Sequence, residues 1–248
     1  MKDDEFIQEL QKQLTNSTKP SLNLYLEYVF DKLRRILQET SHESILEIGA
    51  GVGISQKYLS DFTLTSTDLL PLNLPNIIGY VNAEKLPFEK GIFDFAFGID
   101  VVHHLVNPTK VLSELMRVTK PDATIVFVEP FVSFFSYPVY KIFHHEPVSW
   151  KLDYDKNGSD LSNNAFDSNQ KLSESYFCSK DFKENFAKII DVKIEYFSIL
   201  SFFATGGLSK PLPIPDFVIQ LILFIEKFVP KFLKKFLSSR MLITLRRI

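Results

Sequence analysis

The chain has 248 residues, enough for one large domain with a full core, and 45% of them are apolar, which excludes a disordered protein. Its one cysteine, Cys178, excludes an intrachain disulfide framework or a multi-cysteine zinc site, suits a reducing compartment, and is expected partly buried as a small apolar residue. The net charge of −2 hides an asymmetry: residues 205–248 carry eight Lys and Arg against two Asp and Glu. An acidic body with a basic, apolar tail argues against a general nucleic-acid binder and leaves room for an anionic membrane surface.

The opening "MKDDEFIQELQKQL" is acidic and has no apolar h-region, so no secretory signal is expected and a cytoplasmic setting is. Residues 1–43 read as a helical cap in two stretches. In the second, Leu22, Leu26, Val29, Phe30, Leu33, Ile36 and Leu37 fall on one stripe at i, i+3/i+4 spacing, with Ser21 as the N-cap. From Ser44 short apolar runs alternate with helical stretches: "ILEIG", "TLTSTD", "IIGYVN", "FDFAFGI" and "TIVFVEP". Between the last two, "PTKVLSELMRVTK" starts a helix at Pro108 and buries Val111, Leu112, Leu115 and Val118. This alternation predicts an α/β fold over 44–130, a doubly wound, mostly parallel sheet covered on both faces.

After Pro130 the alternation stops. Residues 131–178 read as irregular chain with a long polar loop, the pattern of a lid or substrate region. Residues 179–248 return to the sheet through the helix "KDFKENFAKII", the strand "VKIEYFSIL" and the final strand "RMLITLRRI". The seven strands thus enclose two insertions, the lid after strand 5 and a helical one, 212–237, between strands 6 and 7. The uninterrupted helix expected there, Phe217 to Val229, is too short to span a bilayer, which takes about 20 residues. Two readings stay open for it: a helical cap packed on the domain, or peripheral contact with an anionic membrane, with Phe232, Leu233, Phe236 and Leu237 on one side and Lys231, Lys234 and Lys235 on the other.

Chemistry concentrates at "SILEIGAGVGIS". A dinucleotide turn needs G-x-G-x-x-G, and neither start works: the third position is Ile54 from Gly49 and Gln56 from Gly51. The pattern is Glu47, then Gly49, Gly51 and Gly53. An acidic group before the turn repels a pyrophosphate and suits a cationic amino group.

Over Ile45 to Pro130, about a third of the chain, the sequence resembles the class I S-adenosylmethionine-dependent methyltransferases, specifically the methyltransferase type 11 group. The motifs are "LEIGAGVG", "TSTDLL", "NAEKLPFEKGIFDFAFGIDVVHHLVNP" and "VTKPDATIVFVEP", in that order. The resemblance implies a Rossmann-like fold, S-adenosylmethionine as cofactor, and methyl transfer. Glu47, Gly49, Ala50, Gly51 and Gly53 would lie along the amino-acid and ribose parts. Asp68, with Leu69 beside it, would take the ribose hydroxyls. Asn82, with Ala83 and Glu84, would meet the adenine edge. The family's usual aspartate is Asn82 here, and its K-P-G-G turn is Lys120-Pro121-Asp122-Ala123.

Methyl transfer needs alignment and water exclusion, and a hydroxyl acceptor also needs a base. Asp100, His103 and His104 follow the fourth strand and Glu129 ends the fifth, so all are expected at the carboxyl edge, where doubly wound sheets bind ligands. His104 holds the family's H-h-x-[DN]-P position and is the first candidate base, with His103 and Asp100 as further candidates. A metal site at these three is not needed for the chemistry, and none is expected. "FHHEPVSW" is a second polar cluster, at His144, His145 and Glu146.

The tetrapeptide resembling that of DNA and many RNA N-methyltransferases is absent after strand 4, so no nucleic-acid partner is expected. The aromatic lid and basic insertion favour a small-molecule or lipid-linked substrate, most simply methylated on a hydroxyl. Two alternatives stay open: a quinone-type C-methyltransferase, and a non-catalytic cofactor-binding or assembly protein. Nothing in the sequence fixes the oligomeric state.

Overall fold

The computed structural model describes residues 12, 18–39, 43–70, 74–143, 148–154, 169–207 and 212–247. Seven strands form one sheet: β1 (Ile45–Ile48), β2 (Leu64–Thr67), β3 (Ile77–Ile78), β4 (Phe93–Ile99), β5 (Thr119–Pro130), β6 (Ile190–Phe197) and β7 (Arg240–Arg247). Their order across the sheet is β3-β2-β1-β4-β5-β7-β6. The first five are mutually parallel, and β7 runs antiparallel to both β5 and β6. The chain is thus doubly wound around a mostly parallel sheet. "IIGYVN" forms a strand only at Ile77–Ile78.

Strand side chains alternate between faces. Ile45, Phe95, Phe97, Val126, Val128 and Leu242 pack on helix α1 (Pro20–Leu37). Leu46, Ile48, Ala96, Ile125, Phe127 and Ile243 pack on the opposite side, with helix α3 (Pro108–Val118) among others. Of the expected α1 stripe, Leu22, Val29, Phe30, Leu33 and Leu37 are buried, while Leu26 and Ile36 are partly so. The helix begins two residues earlier than its cap predicts. Pro20 takes N1, where its fixed φ is already helical and no N–H is missed, so Ser21 lies buried inside the first turn and Lys19 is the N-cap. Helix α3 begins at Pro108 as expected, capped by the Asn107 carbonyl accepting from the Lys110 amide at 2.9 Å. Helix α2 (Ile54–Tyr58) follows the glycine turn.

The stretch read as irregular after β5 contains two helices, α4 (Ser136–Phe143) and α5 (Leu172–Cys178). Ser133 and Ser136 start the first reciprocally: the Ser136 amide donates to Ser133 Oγ at 3.0 Å, and the Ser133 amide to Ser136 Oγ at 2.8 Å. Pro138 falls in the first turn, where it breaks no helical bond. Both helices are pinned to the sheet: the Tyr140 hydroxyl donates to Ser239 O at 2.7 Å and Ser173 Oγ to Glu129 at 2.8 Å. Cys178, expected partly buried, is exposed at the end of α5.

Helix α6 (Lys180–Phe186) leads into β6, and α7 (Ser201–Thr205) follows it. The insertion before β7 forms α8 (Asp216–Phe228) and α9 (Lys231–Leu237), separated at Pro230. No helix among the described residues is long and apolar enough to cross a membrane.

Candidate active site

Gly49, Gly51 and Gly53 all have positive φ, at 64°, 52° and 76°. Two of them are also sterically committed. A Cβ on Gly49 would stand 2.4 Å from Val101 Cγ2, and one on Gly53 3.0 Å from Ile77 Cδ1. At Gly51 an added Cβ would meet no protein atom within 4 Å, so the crest of the turn is open. Its amide donates to Asp68 Oδ2 at 2.7 Å, and the Leu70 amide donates to Oδ1 at 2.9 Å. Asp68 thereby ties the end of β2 to the turn after β1. Burial pushes its carboxyl up, against the pull of the Leu70, Gly51 and Leu69 amides. A carboxylate offers about four acceptor sites, more than these amides use. Ala50, buried, donates its amide to Thr67 O at 3.0 Å and closes the same corner. Leu69 is exposed beside Asp68.

Glu47 differs from the open carboxylate expected. It is buried, with Oε2 accepting from Ser66 Oγ at 2.6 Å and Oε1 accepting from Ser55 Oγ. Burial raises its carboxyl above the usual range, and the two serines oppose that shift. The reason is directional. Glu47 shares Ile45's face of β1, so it points toward α2 and β2 and braces the turn through Ser55 and Ser66. Asn82 is exposed after β3, its carbonyl accepting from the Glu84 amide at 2.8 Å. Ala83 packs on the core, and Glu84 pairs with Lys110 at 3.3 Å.

The other half of the rim is organised by Glu129, at 0% exposure. Its Oε1 accepts from the Val101 and Val102 amides at 2.9 and 2.8 Å. Its Oε2 accepts from His103 Nδ1 and Ser173 Oγ, both at 2.8 Å, and from the His103 amide at 3.3 Å. Burial alone would push Glu129 up; the His103 hydrogen bond and charge, with the Val102 and Val101 amides, outweigh it and hold the carboxyl below its usual range. An ionised carboxylate only accepts, so His103 Nδ1 carries the proton. His103 is buried, whereas His104 is half-buried, and their ring centroids lie 4.1 Å apart.

Asp100 is held differently. It has φ 57°, a left-handed conformation that Asp tolerates, and its Oδ1 pairs with Arg240 Nη1 at 2.6 Å. Arg240 is 4% exposed, opens β7 on the α1 face, and lies 5.2 Å from the Phe202 ring. Although burial works against its charge, Asp100 holds the guanidinium above its usual range. Tyr25 of α1 is pushed up to about 12, first by burial. The structure therefore holds His103 on Glu129 with the His104 ring against it, and engages Asp100 with Arg240 instead. Arg240 and Ser173 were missed, the one hidden in an apolar strand and the other in the lid. Glu129 was placed on the rim, but its partners were not foreseen. His144, His145 and Glu146 lie outside the described residues.

These residues fit a nucleoside carrying an amino-acid arm. The turn is open at Gly51, a carboxylate with acceptor capacity stands at the next strand end, and no glycine is placed for a pyrophosphate. Fold and turn together define a class I, S-adenosylmethionine-dependent methyltransferase domain, with S-adenosylmethionine as its cofactor.

Residues 46–127 match the family model described as Methyltransferase domain. A stretch covering 45% of the chain is 30% identical to the probable polyketide synthase 42 of Dictyostelium discoideum, and the chain spans about 6% of that relative's length. Among solved structures, a SAM dependent methyltransferase from Archaeoglobus fulgidus is 17% identical, with 89% of this chain and 93% of that one covered and a TM-score of 0.53. The phospholethanolamine N-methyltransferase 2 of Haemonchus contortus, in complex with phosphomonomethylethanolamine and S-adenosylhomocysteine, is 13% identical, covers 96% of this chain and 57% of its own, and has a TM-score of 0.53. Both share the fold.

Proposed function

We propose that the protein transfers a methyl group from S-adenosylmethionine to a hydroxyl of a small or lipid-linked acceptor, in a cytoplasmic, membrane-peripheral setting. The observation that carries this reading is the 2.7 Å bond from the Gly51 amide to Asp68, which closes an open glycine turn against a carboxylate at the carboxyl edge of the sheet. When bound, the cofactor supplies an electrophilic methyl group on a sulfonium that leaves as a neutral thioether.

The chain's own work is alignment and proton removal. Asp68 and the turn fix the nucleoside, while Asn82, Ala83 and Glu84 bound its base edge. Glu129 is a positioning residue: it locks the Val102–His104 turn through three amides and sets the His103 tautomer. His104, half-buried against His103, would be the base that takes the hydroxyl acceptor's proton during transfer.

The test is incubation with methyl-labelled S-adenosylmethionine and a host lipid and glycan extract. Label should enter one fraction and be lost with Asp68→Ala. Tight cofactor binding with no transfer to any fraction would favour a non-catalytic binding role.

A further inference from the structure

Helices α8 and α9 present an apolar face to the outside of the molecule. On α8, Phe217, Leu221, Phe224, Ile225 and Phe228 recur at i, i+4, i+7, i+8 and i+11, so they form one stripe about a quarter-turn wide. All five are exposed, Phe228 at 71%. The opposite side of the helix holds its only buried residues, Ile219 and Glu226. Helix α9 has no buried residue and adds Phe232, Leu233 and Phe236, all exposed. A stripe of this size turned away from the body is not core packing. It needs a partner.

The stripe is held rigidly. Glu226 Oε1 accepts from the Ile199, Leu200 and Ser201 amides at 2.9, 2.6 and 2.9 Å, and Oε2 accepts from Ser201 Oγ at 2.8 Å. This anchors α8 just beyond the end of β6. Because Phe197 of β6, Arg240 of β7 and Pro130 of β5 stand in register, that anchor lies at the carboxyl edge that carries Glu129. Helix α9 reaches the same edge: the Phe135 amide donates to Phe236 O at 3.3 Å. Between Pro130 and α4, Phe134 is 81% exposed and extends apolar surface toward the rim.

Charge decides among partners. Lys227, Lys231, Lys234 and Lys235 border the aromatic stripe, whereas the acidic residues of the two helices are exposed Asp216 and the buried Glu226. A second copy meeting this face through a two-fold axis would set lysines against lysines. An anionic bilayer offers apolar depth for the phenylalanines and phosphates for the lysines.

We infer that the α8–α9 face docks on an anionic lipid surface and turns the carboxyl edge toward it, so that the acceptor is a membrane-borne lipid. The docking stands on the surface alone; the lipid acceptor rests on the methyl-transfer reading above.

The full-length protein is sedimented with phosphatidylcholine vesicles, with and without phosphatidylglycerol, and assayed separately for S-adenosylmethionine binding by calorimetry. Binding should need phosphatidylglycerol and weaken with salt. It should fall by roughly tenfold or more in Phe224→Ser/Phe228→Ser/Phe232→Ser and in Lys227→Glu/Lys231→Glu/Lys235→Glu, with cofactor affinity unchanged in both. The lysine variant, which leaves the stripe intact, guards against loss of fold. No sedimentation by a folded, cofactor-binding protein would overturn the docking, as would equal binding by both variants. So would a stable dimer by light scattering that the serine variant splits while vesicles stay unbound. Failure of cofactor binding with vesicle binding intact would instead overturn the methyl-transfer reading and leave the docking standing.

Discussion

Replacing Glu129 by Gln keeps the side chain's shape and removes its charge. The structure then fixes what is lost. Oε1 accepts only from the Val101 and Val102 amides, and a Gln carbonyl can still serve both. Oε2 accepts from three donors, His103 Nδ1, the His103 amide and Ser173 Oγ, and a Gln NH2 accepts from none of them. The serine hydroxyl can rotate and the imidazole can shift its proton to Nε2, but the backbone amide has no such recourse. Trading charge-assisted bonds for neutral or mismatched ones costs roughly 1 kcal/mol each, so about 3 kcal/mol in all. At this chain length that lowers the melting temperature by roughly 6–12 °C. Glu129→Ala should be worse, because it also strands the Val101 and Val102 amides.

The pH dependence gives an independent readout. A carboxyl held below its usual range in the fold stabilises fully above the unfolded value of about 4.3, and that contribution fades as pH falls toward the folded value. The wild type should therefore lose stability on acidification below about pH 5, and Glu129→Gln should lose less over the same span. Calorimetric or fluorescence unfolding between roughly pH 3.5 and 8 measures both effects. A Gln variant melting within about 2 °C of wild type, with an unchanged acid limb, would refute the assignment of Glu129 as the charge that organises this rim.

Three further outcomes follow from the same geometry. Gly49→Ala puts a methyl 2.4 Å from Val101 Cγ2 at φ 64°, so it should cost about 2–4 kcal/mol; in a double-mutant unfolding cycle Val101→Ala should restore the steric part and leave the left-handed cost of about 1–2 kcal/mol. Asp68→Ala removes the carboxylate that ties the glycine turn to β2, so calorimetric affinity for S-adenosylmethionine should fall at least about tenfold, and Asp68→Asn should fall less. His104→Ala should slow transfer to a hydroxyl acceptor by roughly 10²–10⁴-fold while cofactor affinity stays within about twofold, since the ring lies against the tilted His103 ring, with centroids 4.1 Å apart; an equal loss of both would place His104 in the cofactor pocket instead.

The parts of this molecule that were legible are those in which neighbours in sequence are neighbours in space. The α1 stripe, the Pro108 start of α3 and the glycine turn depend on spacings of a few residues, and periodicity reports such spacings directly. Asp68 was legible because a strand of known direction delivers its last side chain to a known edge. The burial of Glu47 was not foreseen, although parity was available: it lies two residues after Ile45, which points into the α1 face. The rim's electrostatics were not legible at all. Glu129 gathers the amides of Val101, Val102 and His103, and Glu226 gathers those of Ile199, Leu200 and Ser201. Each is a buried Glu side chain accepting from three consecutive N–H groups at a strand's carboxyl end, a concave amide nest built from two remote pieces of chain. Local pattern cannot reveal such a nest, because the anion and its amides lie more than twenty residues apart and an isolated buried Glu reads as an error. The same device fixes the turn that carries His103 and His104 and the helix that turns its phenylalanines outward. Removing the charge of Glu226 should therefore loosen α8 without touching the histidines. Glu226→Gln should raise amide exchange over 199–201 and 216–228 and leave 101–104 protected, and equal exchange across both loops would show that the two nests act as one unit.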